Sequence, residues 1–283
     1  MTNPREHQVA CLGPRGFHRL RYFEWGDAGN PRVAICVHGL TRNAHDFDIL
    51  ALRLSATHRV IAVDVAGRGG SDWLADKADY GYPRYLADMA TLVARTNATH
   101  IDWVGTSMGG LIGMLLAATP GSPLRRLVVN DVGPFIPKAA LERIAAYVGQ
   151  DPRFDTIEGL EAHLRKVHAP FGPLTDAQWR AMAEHGARQL DDGRFALGYD
   201  PGIAEPFRSG VSDVDLWAVW GKIRCPVLVI RGAESDLLSA ETATRMVSEG
   251  PDGSRHLAFH GIGHAPALTT DDQITPIEAF LAD

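Results

Sequence analysis

Ser107 lies in Gly105-Thr106-Ser107-Met108-Gly109, a G-x-S-x-G between the apolar run IDWV and the helix-forming run GLIGMLLAA. That strand–turn–helix context lifts a serine hydroxyl out of the chain, where it can attack a carbonyl. The turn needs a strained backbone, and its small residues let neighbouring chain come close. The first N–H groups of the following helix have no helical partner, so the Met108 N–H is free to face a developing oxyanion. A serine is a poor nucleophile until a base takes its proton. An imidazole does this near neutral pH, and a carboxylate fixes its tautomer and steadies the imidazolium. Of the 12 histidines, His264 is the best-placed base, because Gly263 and Pro266 set it in a loop after the run HLAF. Two aspartates end apolar runs and could orient it. Asp236, in GAESD after PVLVIR, is the expected acid; Asp131, in NDVGP after RLVV, is the alternative, with a turn-capping role as its other reading.

These side chains need a rigid frame. Arg32–Val37, Val60–Asp64 and Ile101–Gly105 are short apolar runs of the kind buried on both faces of a parallel sheet. Arg126–Val129, Pro226–Arg231 and His256–Phe259 repeat the pattern, and His18–Trp25 reads as an antiparallel edge strand. Helices are expected between them. Asp46 is positioned to cap one that buries Phe47, Leu50 and Leu54, and Pro83 suits the first turn of another carrying Leu86, Met89 and Val93. Further helices fit after Ser239 and after Thr275, where Thr275, Pro276 and Glu278 suggest a capping box. This alternation predicts an α/β chain with a mostly parallel sheet covered on both faces.

From Pro134 to Val214 no buried strand is evident. Helices are expected at Lys138–Val148, Ile157–Val167 after Thr156, and Asp176–Leu190 behind a Thr175/Gln178 capping box. The chain therefore divides into a core of residues 1–133 and 215–283 and a helical cap of residues 134–214. An insertion of this kind sits over the C-terminal edge of the sheet, where α/β proteins bind ligands. Phe135, Trp217 and Trp220 fall at its two hinges, and Phe135 and Trp217 are expected to line a substrate pocket or to pack the cap.

Taken together, these segments resemble the α/β-hydrolase superfamily. Four motifs carry the likeness, in order: His38-Gly39-Leu40 after the first parallel strand; the D-x-x-G-x-G-x-S of Asp64–Ser71; the Ser107 turn; and the pair formed by GAESD and the His264 loop. The resemblance spans Phe17 to Leu281 and implies the α/β-hydrolase fold with a helical cap. It also implies that the Leu40 N–H is a second oxyanion donor beside Met108, with His38 bracing the loop. Ser, Asp and His follow one another in the order this geometry requires. Serine at the nucleophile position separates the chain from relatives that use aspartate, the haloalkane dehalogenases and epoxide hydrolases. HGLTRN lacks the HGGG of many lipases and the Gly-rich extension of ring-cleavage C–C hydrolases.

Composition excludes other classes. Lys plus Arg is 28 against 34 Asp plus Glu, a net charge of −6, which argues against binding nucleic acid or an anionic membrane. The Gly loop after Asp64 lacks the G-x-x-x-x-G-K-[ST] of a phosphate cradle. Cys11, Cys36 and Cys225 form no disulfide or zinc pattern, the N-terminus lacks a signal-peptide run, and a cytoplasmic location is expected. His256, His260 and His264 recur every four residues, but on a strand and a Gly loop rather than a helix, so no metal and no cofactor is expected. The expected activity is a serine hydrolase acting on a small carboxylic ester through an acyl-enzyme. C–C hydrolase, lactonase or perhydrolase chemistry is the alternative on the same residues, and a non-catalytic ligand sensor the alternative of another class. Homo-oligomerisation is left open.

Overall fold

The computed structural model describes residues 4–283. Its centre is an eight-stranded sheet: β1 (Arg5–Gly13), β2 (Gly16–Trp25), β3 (Val33–Val37), β4 (Arg59–Val63), β5 (Ile101–Thr106), β6 (Leu124–Asn130), β7 (Val227–Gly232) and β8 (Arg255–Phe259). The spatial order is β1-β2-β4-β3-β5-β6-β7-β8. From β4 to β8 all neighbours are parallel, while β2 is antiparallel to both β1 and β4. All five residues of β3 and all six of β7 are buried, as expected of strands covered on both faces. The hairpin β1–β2 makes β1 the edge, not the His18–Trp25 segment. Along β1 exposed residues alternate with partly buried ones and with the buried Cys11, so its sequence carries none of the apolar density of the inner strands.

Helices α1 (Asp48–Leu54), α2 (Tyr82–Thr96), α3 (Met108–Ala117), α4 (Lys138–Ala145), α5 (Ile157–Val167), α6 (Asp176–Gly186), α7 (Trp217–Trp220), α8 (Ala240–Ser248) and α9 (Asp271–Ala282) complete the chain. One core, holding Trp103, Ile112 and Met89, fills one face of the sheet, and a second, holding Phe47, Leu54 and Phe280, fills the other. Two expected caps are corrected. Asn43, not Asp46, caps the turn before α1 through its bond from the His45 N–H, while Asp46 is held by Arg42. α9 begins after Thr270 and runs through Pro276, so Thr275 starts no helix. Asp271 and Asp272 supply the acidic first turn, which favours starting there.

Between β6 and α7 the chain forms α4, α5 and α6 over the C-terminal edge of the sheet. Thr156 caps α5 and the Thr175/Gln178 capping box starts α6. α6 stops at Gly186 rather than Leu190, because Ala187–Gln189 turns into a strand paired with Phe195–Leu197. A second short ladder pairs Phe135–Ile136 with Val214–Asp215 and closes the base of the insertion. The insertion thus holds pairs of residues in strands where only helices were expected. Such strands are two or three residues long, too short to show a period of two.

Candidate active site

Ser107 has φ 52° and ψ −114°, a strained conformation for a residue with a side chain. Close packing holds it there. A Cβ on Gly109 would fall inside the Val37 carbonyl, and one on Gly105 would strike the Gly109 backbone. The two glycines of the motif therefore let β5 and α3 meet beside β3. The Ser107 N–H is tied to the Asn130 carbonyl at 2.9 Å, and its own carbonyl accepts from Gly110 and Leu111.

The hydroxyl meets His264, with Ser107 Oγ 3.0 Å from Nε2. His264 Nδ1 lies 2.7 Å from Asp131 Oδ2. A carboxylate only accepts, so Nδ1 carries the proton and Nε2 is left to accept from the serine. The expectation that Asp236 orients His264 is corrected: the structure brings Asp131 to the imidazole. Asp131 follows β6 at φ 55° with a fully buried carboxylate. Its Oδ1 accepts from the Gly232 N–H at 2.8 Å, and its Oδ2 from the Ser235 hydroxyl at 2.6 Å. Asp236 points away, half exposed, and takes two bonds from the Arg143 guanidinium on α4, one of them 2.9 Å. The GAESD turn thus faces the site through Ser235, one residue before the expected acid.

The rest of the His264 loop is pinned from several sides. Glu234 accepts from the N–H groups of Gly261 and Ile262 at 3.0 and 2.7 Å. Asn130 donates to the Pro266 carbonyl at 2.8 Å, and the Gly263 N–H reaches the Pro170 carbonyl in the insertion at 2.8 Å. Across the cleft, His38 is fully buried, and burial pushes its imidazole down to about 4. Its Nε2 accepts from the Val65 N–H, so Nδ1 carries the proton and donates to the Gly39 carbonyl at 2.7 Å. A buried Arg68 fastens the same loop, donating to the Leu40 carbonyl at 2.9 Å, while another of its nitrogens lies 3.6 Å from the Met108 sulfur. Among the described residues no hydrogen bond takes up the backbone N–H of Leu40 or Met108. Arg68 lies in the D-x-x-G-x-G-x-S turn; its bracing role was not legible, since its partners sit on distant segments.

A cleft of about 1280 Å³, its open mouth included, lies between the sheet edge and the insertion and contains Ser107 and His264. Ile144, Val167, Phe171 and Met182 give it apolar walls, and Arg42, His168 and Arg143 give it polar ones. Burial, reinforced by Arg42, keeps the His168 imidazole well below its ordinary value. Phe135 and Trp217, the expected pocket residues, do not line this cleft. Phe135 is held in the ladder with Asp215, and Trp217 lies under the Arg245 guanidinium, 3.9 Å from its carbon. Both lie at the base of the insertion. The wall residues from α4 to α6 were missed because a helix sequence does not show which side a sheet will face.

Residues 34–276 match the alpha/beta hydrolase family. The chain is 47% identical, over 99% of its length and 98% of the relative's, to the 3-hydroxybutyrate-oligomer hydrolase of Cupriavidus necator. A crystal structure of an alpha/beta hydrolase from Novosphingobium aromaticivorans superposes with a TM-score of 0.88 at 36% identity, covering 100% of this chain and 99% of that one. A putative hydrolase from Rickettsia typhi gives a TM-score of 0.89 at 32% identity, with 99% of each chain covered. With this agreement along the whole length, the chain belongs to the alpha/beta hydrolase family and is a hydrolase.

Proposed function

We propose that the chain hydrolyses short linear esters of a 3-hydroxy acid, with Ser107 as nucleophile, His264 as general base and acid, and Asp131 as the orienting carboxylate. The observation that carries this reading is the unbroken series Ser107–His264–Asp131, at 3.0 and 2.7 Å, inside the cleft. Ser107 Oγ attacks the ester carbonyl as its proton passes to His264 Nε2. The leaving alcohol takes that proton. Water then gives a proton to His264 as its oxygen attacks the acyl-enzyme; the bond to Ser107 Oγ breaks, that proton returns from His264 to the serine, and the acid departs. The N–H groups of Leu40 and Met108 hold the oxyanion, consistent with neither having a hydrogen-bond partner among the described residues. The mixed walls suit a short polyester, whose methyl groups need apolar contact and whose carbonyls need donors. The relative named for 3-hydroxybutyrate oligomers supports that substrate class.

In this reading residues 134–214 are a cap that governs entry to the cleft. Three free cysteines, two of them buried, fit a reducing compartment. Among the described residues no helix is long and apolar enough to cross a membrane. The test is release of 3-hydroxybutyrate from its dimer and trimer, with a fluorophosphonate probe run beside it. Turnover together with labelling at Ser107 is expected. A protein labelled at Ser107 that leaves both oligomers intact while cleaving simple acyl esters would overturn the substrate assignment. Absence of labelling would overturn the nucleophile.

A further inference from the structure

At the rim of the cleft, His45, Asp48 and His185 converge. One nitrogen of each imidazole and one Asp48 oxygen lie within 4.8 Å of one another. The two rings stack at 3.8 Å, His45 Nδ1 is 3.0 Å from Asp48 Oδ2, and the Phe23 ring packs against His45 at 4.4 Å. His45 and Asp48 belong to the segment after β3, whereas His185 ends α6 in the insertion. The main chain at His185 is also held to that segment, because Asn43 donates to its carbonyl at 3.0 Å. The ligand groups thus come from both sides of the cleft mouth on fixed backbone, and rotation of the two stacked rings about their side-chain bonds would turn one nitrogen of each toward a shared ion, which must lie near the plane of each ring.

We propose that His45, Asp48 and His185 bind a divalent transition ion of the zinc, nickel or copper class. Two imidazoles and one carboxylate suit these borderline ions, whereas magnesium and calcium prefer all-oxygen sets. Three protein ligands leave room for water on the ion. The ion plays no part in ester cleavage. It ties the insertion to the core at the cleft mouth and thereby slows substrate entry, so it acts as a reversible inhibitor. The other convergent group, Cys11, His18 and Asp88, is a different case. Its carboxylate is already paired with Arg84 and His18, and burial raises its thiol to about 11.

The test uses the whole chain, freed of metal by a chelator. Zinc chloride is titrated calorimetrically and, separately, into an esterase assay; cobalt chloride provides a visible-absorption reading of imidazole coordination. One equivalent of zinc is expected to bind and to lower turnover, with recovery on adding EDTA. His185→Ala and His45→Gln should each weaken zinc binding at least tenfold, since even losing an outer-shell partner of a metal ligand costs about 10–100-fold. The inhibitory concentration should rise in parallel. Circular dichroism and Tm of each variant check its fold, and Asp48→Asn is a third, milder variant should either histidine change unfold the chain. Zinc binding equally tight in all three variants overturns the site. Equal inhibition of wild type and His185→Ala places the ion elsewhere, as on His264, and also overturns it. Binding that needs His45 and His185 but leaves turnover unchanged overturns the tether.

Discussion

Asp131 and Asp236 each follow an apolar parallel strand at the same edge of the sheet, yet their surroundings differ completely. Asp131 is fully buried, and besides His264 it accepts from Gly232 and Ser235. Asp236 is half exposed and shares its charge with a guanidinium that is also exposed. A carboxylate that must steady an imidazolium needs low dielectric and a fixed orientation, and only Asp131 has both. A surface ion pair contributes little, because water screens it and two long side chains must be ordered. Position at a strand end therefore makes a carboxylate eligible, and burial with convergent donors selects it.

Substitutions can break this comparison, and the largest effect is expected at Ser107, whose hydroxyl meets the histidine that either aspartate could have served. Ser107→Ala should fold as wild type and lose about 10⁴-fold or more of its ester turnover, read by steady-state kinetics and circular dichroism. Asp131→Asn should come next, at about 10⁴-fold in kcat, because an amide can donate to Nδ1 and favours the wrong tautomer. If Asp131→Asn kept most of its activity while Asp236→Asn lost it, the comparison would be inverted.

The rule that burial with fixed partners selects a group also predicts how stability depends on pH. Burial lowers His38 to about 4 in the folded chain, against 6.5 unfolded. The unfolded state then binds more protons between those values. The contribution is full above pH 6.5 and lost as pH falls toward 4, about 3 kcal/mol in all. His163, His168, His185 and His256 are lowered as well and act in the same direction. Urea midpoints from pH 7 to 4 should fall, and in His38→Asn the slope should be shallower. An unchanged slope in that variant would mean His38 is not the neutral brace.

Ser235→Ala removes one hydrogen bond to the buried carboxylate and should cost about 1.5–3 kcal/mol, with a smaller loss of kcat than Asp131→Asn. Asp236→Asn is expected to have the smallest effect, under about 1 kcal/mol of stability and near wild-type turnover. Thermal unfolding and oligomer hydrolysis on the same two proteins check the order. An equal response from both would show that Ser235 does nothing for the acid.

The inner strands were readable because burial on both faces leaves unbroken apolar runs such as VAICV and VLVIR. The edge strand β1 and the two- and three-residue ladders of the insertion lack that mark, so they were not. Ser107 and His264 could be named from local residues, since a strained turn between a strand and a helix and a Gly-Pro loop are written in adjacent positions. The choice between Asp131 and Asp236 could not. It depends on Ser235 and Gly232 donating across 104 and 101 positions of chain. The cleft walls were equally hidden, because α4, α5 and α6 show amphipathic faces but not which element each face meets.

For this protein the sequence by itself determined the order of the inner strands and the helices, the Ser107 turn and the His264 loop. Each follows from short-range sterics and hydrophobic periodicity, which act within a few residues. Tertiary structure alone decided which carboxylate meets His264, the brace that Arg68 puts on Leu40, the place of Phe135 and Trp217 at the base of the insertion, and the meeting of His45 with His185. Those choices depend on burial and on convergence of distant segments, which arise only when the strands stand side by side and the insertion closes over them.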